Sequence, residues 1–174
     1  MIINLKILLK MNVVKKILCL PPLINFGLGV GLIVGAYIFE IFGYYDPCPL
    51  CILQRWSFAL IAVCGAMMAI PRLHVFLKKG LLVFASLFAF CGSIIAGRQI
   101  YLQNLPPDQI PTCAPPMDFL MDTLPFFEVI QTILLGDGNC AEYEWRLILN
   151  FAEWALVFFI LLLIYNIFFL LKKS

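Results

Sequence analysis

Charge is what this sequence has least of. Only 13% of its 174 residues are Asp, Glu, Lys or Arg, whereas 63% are hydrophobic and the mean hydropathy is +1.00. A soluble domain carries about 25% charged residues, so this composition excludes one and requires that the apolar excess face lipid. The net charge of +2 gives no basis for nucleic-acid binding. Histidine is nearly absent: His74 is the only one, so a metal site would have to rest on cysteine. Seven cysteines in 174 residues fall well short of the roughly 8–10% of a disulfide scaffold. No motif for NAD, flavin, haem or an iron–sulfur cluster is present.

What the chain does have is long apolar runs. A spanning helix needs about 20 mostly apolar residues, and four stretches qualify: Leu23–Gly43, Ile52–Ile70, Gly80–Leu102 and Trp154–Leu171. Pro21-Pro22 and Pro71 are read as bounding the first two. The expected fold is an all-α integral membrane bundle of four transmembrane helices in a single domain, residues 1–174. Residues 1–22 form a cytoplasmic N-terminal segment, 44–51 a short outer loop and 103–153 a long one. Nine of the 12 basic residues (Lys6, Lys10, Lys15, Lys16, Arg72, Lys78, Lys79, Lys172 and Lys173) fall on one side. The positive-inside rule makes that side cytoplasmic and places both termini there. The N-terminus also admits a signal-peptide reading, but its apolar stretch is too long and no cleavage site is evident. Met1–Lys16 can equally be an interfacial helix or an extension ahead of Met11.

Gly27, Gly31 and Gly35 form a small-residue ladder, as do Gly92 and Ala96, and both are read as close helix–helix contacts. Tyr44, Tyr45, Trp145 and Trp154 fit an interfacial aromatic belt.

This topology divides the cysteines. Cys64 and Cys91 lie within spans, where cysteine packs as a small hydrophobe, and Cys19 is a free thiol at the cytoplasmic end. Cys48, Cys51, Cys113 and Cys140 lie outside, where disulfides persist. Cys48-Pro49-Leu50-Cys51 is a Cys-x-x-Cys pair, in which one thiol attacks and the other resolves. Cys51 falls in the first turn of a helix, and Arg55 follows on the same face; both favour a thiolate. A zinc site of four cysteines is the competing reading, though Cys113 and Cys140 are too far apart in sequence to form a second Cys-x-x-Cys. For these two a plain structural disulfide remains open. Prolines 106, 107, 111, 115 and 116 make the region around Cys113 an extended loop. Met117–Leu135 reads as a short amphipathic helix lying on the membrane surface, with packing on the bundle as the alternative. Gly136–Asn139 is a turn delivering Cys140. Arg55 and Arg98, basic groups near membrane depth, are candidates for ligand contact, with Glu40 and Glu153 as possible ionic partners. Two dithiol pairs without a soluble cofactor suggest electron relay to a lipid-soluble acceptor such as quinone.

Three stretches carry a family resemblance: Cys48-Pro49-Leu50-Cys51-Ile52-Leu53-Gln54-Arg55, Ala96-Gly97-Arg98-Gln99, and Gly138-Asn139-Cys140-Ala141-Glu142 with Trp145. From Leu23 to Leu171 the chain resembles the bacterial disulfide bond formation protein B (DsbB) family. The DsbA–DsbB–quinone relay keeps the periplasm oxidising. The resemblance implies a thiol:quinone oxidoreductase of the bacterial inner membrane, probed from the periplasm by a DsbA-like thioredoxin-fold oxidase. It implies that Cys113 forms the mixed disulfide of a Cys113–Cys140 pair, and that Cys48 exchanges with this loop pair. Cys51 then passes electrons to ubiquinone or menaquinone beside Arg55. The partner's potential of about −120 mV requires the quinone to pull the exchange forward. A monomer with no nucleic-acid partner is expected. Asn104 departs from the family, whose members often carry histidine near this point. A vitamin-K-epoxide-reductase-like oxidase is an alternative, but its Cys-x-x-Cys comes late in the chain. A non-enzymatic protein, disulfide-stapled or metal-binding, is the other.

Overall fold

The computed structural model describes residues 20–43, 47–106, 108–112, 119, 122–136, 138–141 and 149–172. Cys113, Cys19, Tyr44, Tyr45, Trp145 and Met1–Lys16 lie outside them. The described elements are α1 (Leu20–Gly43), α2 (Pro49–Met68), α3 (Val75–Gln103), α4 (Phe126–Leu135), a 3-10 turn (Gly138–Ala141) and α5 (Phe151–Leu171), with no β-strand among the described residues. Four of the helices, α1, α2, α3 and α5, are long and apolar enough to cross a membrane. The protein is a multi-pass membrane bundle.

Every span starts earlier than the hydropathy alone indicates, and each early start has a local cause. Pro21 and Pro22 do not precede α1 but lie buried in its first turn, where the missing N–H is not needed. α2 starts at Pro49 for the same reason, on Cys48 as its N-cap. α3 takes in Lys78 and Lys79, expected between spans, because nothing after His74 breaks the helix and both side chains can reach the interface. α5 opens on a capping box: Asn150 Oδ1 accepts from Glu153 N, and the Glu153 carboxylate accepts from Asn150 N, both at 2.8 Å. Glu153 is therefore occupied as a cap.

Helix pairing runs α1–α2–α3–α5, each packed on the next, and α1 meets α5 only lightly. One α1–α5 link is a reciprocal amide pair: Asn25 Nδ2 donates to Asn166 Oδ1 at 2.8 Å and Asn166 Nδ2 to Asn25 Oδ1 at 3.0 Å. Another is an edge-to-face contact of Phe39 with Phe151. The core between them is apolar, with Phe58 stacked on Phe159 at 3.9 Å and Ile61, Ala89, Ala96 and Leu162 around them. Most remaining large apolar side chains point outward, as a lipid-solvated bundle requires.

The glycine ladder of α1 is not a packing face. A Cβ at Gly27, Gly31 or Gly35 would meet nothing within 4 Å. The close approach is made one helical face away, where a Cβ on Gly29 would stand 2.8 Å from Ala62 Cβ, and by Gly65, whose Cβ would stand 2.5 Å from Phe26 N. Gly92 does pack closely, against the Phe159 ring. Cys64 is buried, but Cys91 is exposed on the outside of the bundle and packs nothing in the core.

In the long connection the expected amphipathic helix is interrupted: Phe119, Asp122 and Thr123 are helical, and the chain breaks at Leu124–Pro125 before α4. α4 begins at Phe126 with Pro125 as its N-cap, because a proline in the interior of a helix run through from Met117 would break it. Val129 and Ile133 are buried, whereas Phe127, Ile130 and Leu134 are exposed. Gly136 then turns the chain with φ 74°, against Leu102 and Leu50 where a side chain would collide. This turn sets Cys140 on the bundle.

Candidate functional site

The site begins with one helix terminus. Cys48 caps α2 in an extended conformation, with φ −66° and ψ 158°, and Pro49 supplies the fixed φ of the first turn. Cys51 is then at the third helical position. Its backbone N–H donates to Cys48 Sγ at 3.3 Å, and the two sulfurs are 2.8 Å apart. The Cys-Pro-Leu-Cys sequence thus builds its own dithiol geometry, with Cys51 at the positive end of the helix dipole.

A third cysteine joins the pair. Cys140 is fully buried with Cys48, Leu50, Leu102 and Ala141 in one small cluster at this end of the bundle. The Cys48 thiol hydrogen-bonds both Cys140 and Cys51; these contacts, Cys140's first, together with burial, push its pKa far above the ordinary 9.0. Cys48 stays protonated while it sits between two sulfurs.

Two buried amides complete the cluster. Gln99 on α3 directs its Nε2 toward Cys51 Sγ at 3.2 Å and Cys48 Sγ at 3.4 Å. Its Oε1 accepts from Gln54 Nε2 at 2.7 Å. Asn104, by contrast, caps α3 and bonds the carbonyl of Ile100, so this segment reaches the dithiol through Gln99. Both glutamines stand in the stretches that carry the family resemblance, but the sequence alone gives neither a role. The available signal was position: Gln54 follows Cys51 by three residues, and Gln99 adjoins Arg98.

Beside Cys51 a cavity of about 260 Å³ opens between α1, α2 and α5. Phe58, Trp154 and Phe158 form apolar walls, and Gly31 and Gly35 leave the α1 side open. Cys51, Arg55 and Glu40 supply its polar edge. Arg55 Nη1 bonds Glu40 Oε2 at 2.6 Å, and the guanidinium lies over Tyr37 at 4.9 Å. Arg98 is half-buried over the Tyr101 ring at 5.3 Å and does not line the cavity. Among the described residues no group of three or more His, Cys, Asp or Glu is arranged so that it could hold a metal ion.

A membrane helix bundle that gathers three cysteines at one end, beside a largely apolar cavity, is the architecture of a membrane thiol–disulfide oxidoreductase. Comparison with known proteins agrees. Residues 20–169 match the family described as "Disulfide bond formation protein DsbB". The chain is 41% identical to disulfide bond formation protein B of Marinobacter nauticus, over 82% of this chain and 86% of that one. It is 38% identical to disulfide bond formation protein B 1 of Pseudomonas aeruginosa, over 83% and 90% respectively. A third relative, disulfide bond formation protein B of Chromobacterium violaceum, is 40% identical over 72% and 78%. No solved structure matches the chain. The chain belongs to the DsbB family and is a membrane protein of disulfide bond formation.

Proposed function

We propose that the protein is a thiol:quinone oxidoreductase that reoxidises a DsbA-like thioredoxin-fold oxidase at the periplasmic face of the bacterial inner membrane. The observation that carries this reading is the contact of Cys48 with both Cys51 and Cys140, which joins the loop cysteine to the helix-terminal pair. The orientation is supported by charge. Arg72, Lys78, Lys79 and Lys172 gather at the end opposite the dithiol, whereas Glu40, Asp108, Asp122, Glu128 and Glu153 lie toward it.

In this reading a thiolate of the partner attacks Cys113 of a Cys113–Cys140 disulfide, forming a mixed disulfide and releasing Cys140 as thiolate. The partner's second thiol then displaces Cys113, so the partner leaves oxidised and the loop pair holds the two electrons. Cys140, already against Cys48, exchanges with the Cys48–Cys51 disulfide. Cys48 is the sulfur attacked, Cys51 leaves as thiolate, and Cys113 closes the loop disulfide again. Both electrons then reside on Cys48 and Cys51.

The cavity suits a quinone ring: its walls are apolar, Arg55 offers a donor to a carbonyl oxygen, and Cys51 borders it. A bound quinone supplies a two-electron, two-proton acceptor. Arg55, held by Glu40 and Tyr37, orients such a ring and favours negative charge beside Cys51. Cys51, and not Cys48, is among the residues that line the cavity.

Trapping tests the partner-facing step. With the second cysteine of a reduced DsbA-like partner replaced by alanine, its remaining thiolate opens the Cys113–Cys140 disulfide and stays bonded to Cys113, Cys140 leaving as thiolate, and the accumulated mixed disulfide is read by non-reducing electrophoresis and peptide mapping. Its absence, with the variant folded, overturns the assignment of Cys113.

A further inference from the structure

We infer that Gln99 is a positioning residue for the redox pair: its side-chain amide, held in one orientation by Gln54, stabilises the reduced Cys48–Cys51 dithiol. The amide could in principle face the sulfurs with either end. In the structure Gln54 Nε2 donates to Gln99 Oε1 at 2.7 Å, which turns Gln99 Nε2 to face Cys51 at 3.2 Å and Cys48 at 3.4 Å. Both glutamines are buried, Gln99 with only 4% of its surface exposed, so their amides are shielded from water and their bonds to each other strengthened. The Oε1 serves the other protonation state: Cys51 Sγ is 3.6 Å away and can donate to it as a thiol. One uncharged group therefore meets Cys51 as donor to a thiolate and as acceptor from a thiol.

The energetic consequence has a sign. A donor bonds a sulfur anion more strongly than a neutral disulfide sulfur, since charge-assisted hydrogen bonds are about twice as strong as neutral ones. Gln99 thereby favours the reduced pair over the disulfide and raises the pair's potential. Because the amide does not titrate, this contribution persists wherever the sulfur is ionised. Gln54 acts only through Gln99, so its removal has the same sign and a smaller size.

The inference uses the dithiol assigned above but not the quinone or the partner, and its test needs neither. The full-length protein in detergent, freed of quinone, is equilibrated with dithiothreitol redox buffers. One reduced dithiothreitol opens the Cys48–Cys51 bond to two thiols and leaves as its own cyclic disulfide, so electrons and protons balance. Acid quenching, alkylation and mass spectrometry of the Cys48–Cys51 peptide give the fraction reduced. For Gln99→Leu the equilibrium is expected to shift about tenfold toward the disulfide, about 30 mV on the two-electron scale. Gln99→Glu, of nearly the same shape, removes the donor and adds a repelling charge, and shifts it at least as far. Gln54→Leu shifts it less. If the glutamate variant, folded by circular dichroism and thermal unfolding, stays within twofold of wild type, the inference is wrong. A loss of thermal stability in the leucine variant with an unmoved equilibrium likewise reduces Gln99 to a packing residue and overturns it.

Discussion

The Cys48 thiol, at the start of α2, is hydrogen-bonded to Cys140, delivered from the far end of the long connection by the Gly136 turn. Disulfide exchange requires a thiolate to reach the sulfur of another pair, and the fold has brought these two sulfurs together in advance. A protein carrying Cys51→Ala and Cys113→Ala retains both contact partners. Mild oxidation is expected to link Cys48 to Cys140, seen as a cross-linked peptide by mass spectrometry. Failure to form that link would contradict the contact.

The raised pKa of Cys48 has a consequence for reactivity. Thiolate, not thiol, reacts with iodoacetamide, and a group raised above 9.0 remains a thiol throughout the neutral range. In the reduced protein at pH 7–8, Cys48 is expected to alkylate slowly, its rate still climbing beyond pH 9. Replacing Cys140 with alanine removes the largest cause, so the Cys48 profile moves to lower pH. A Cys48 that alkylates at pH 7 as fast as an unhindered cysteine would show that the thiol is not held protonated.

Arg55 and Glu40 tie α2 to α1 at the edge of the cavity, but both are partly exposed, at 20% and 27%. Such pairs contribute about 0–1 kcal/mol. Glu40→Gln is therefore expected to lower thermal stability only slightly in detergent, while Arg55→Met raises the KM for quinone severalfold. An Arg55→Met enzyme with unchanged KM would remove Arg55 from the ligand's surroundings.

The glycines separate packing from open space. Gly65→Ala forces a Cβ to 2.5 Å from Phe26 N and is expected to cost about 1–3 kcal/mol, as overpacking does. Gly27→Ala meets nothing and should be neutral. Thermal unfolding of the two variants side by side checks the assignment, and equal effects would contradict it.

The spans, their order and the redox motif were legible because each depends on local sequence: hydropathy over about 20 residues, or a Cys-x-x-Cys at a helix start. The placement of Glu153 as a cap could have been read from Asn150 three residues before it. The ladder of Gly27, Gly31 and Gly35 misled because a small-residue period does not say which face meets a neighbour. Gly29, outside the ladder, makes the contact instead. Gln99 was hidden for a related reason. Its role exists only once α3 stands beside the terminus of α2, and a buried amide in a span looks like any other interhelical polar contact.

Turnover tests the central claim most directly. Purified full-length protein, given a reduced DsbA-like partner and a soluble ubiquinone or menaquinone analogue, is expected to bleach the quinone absorbance in step with partner oxidation, one quinone per disulfide. Cys51→Ala is expected to abolish this. Quinone reduction that continues at the wild-type rate in Cys51→Ala, or partner oxidation without any quinone reduction, would contradict the relay.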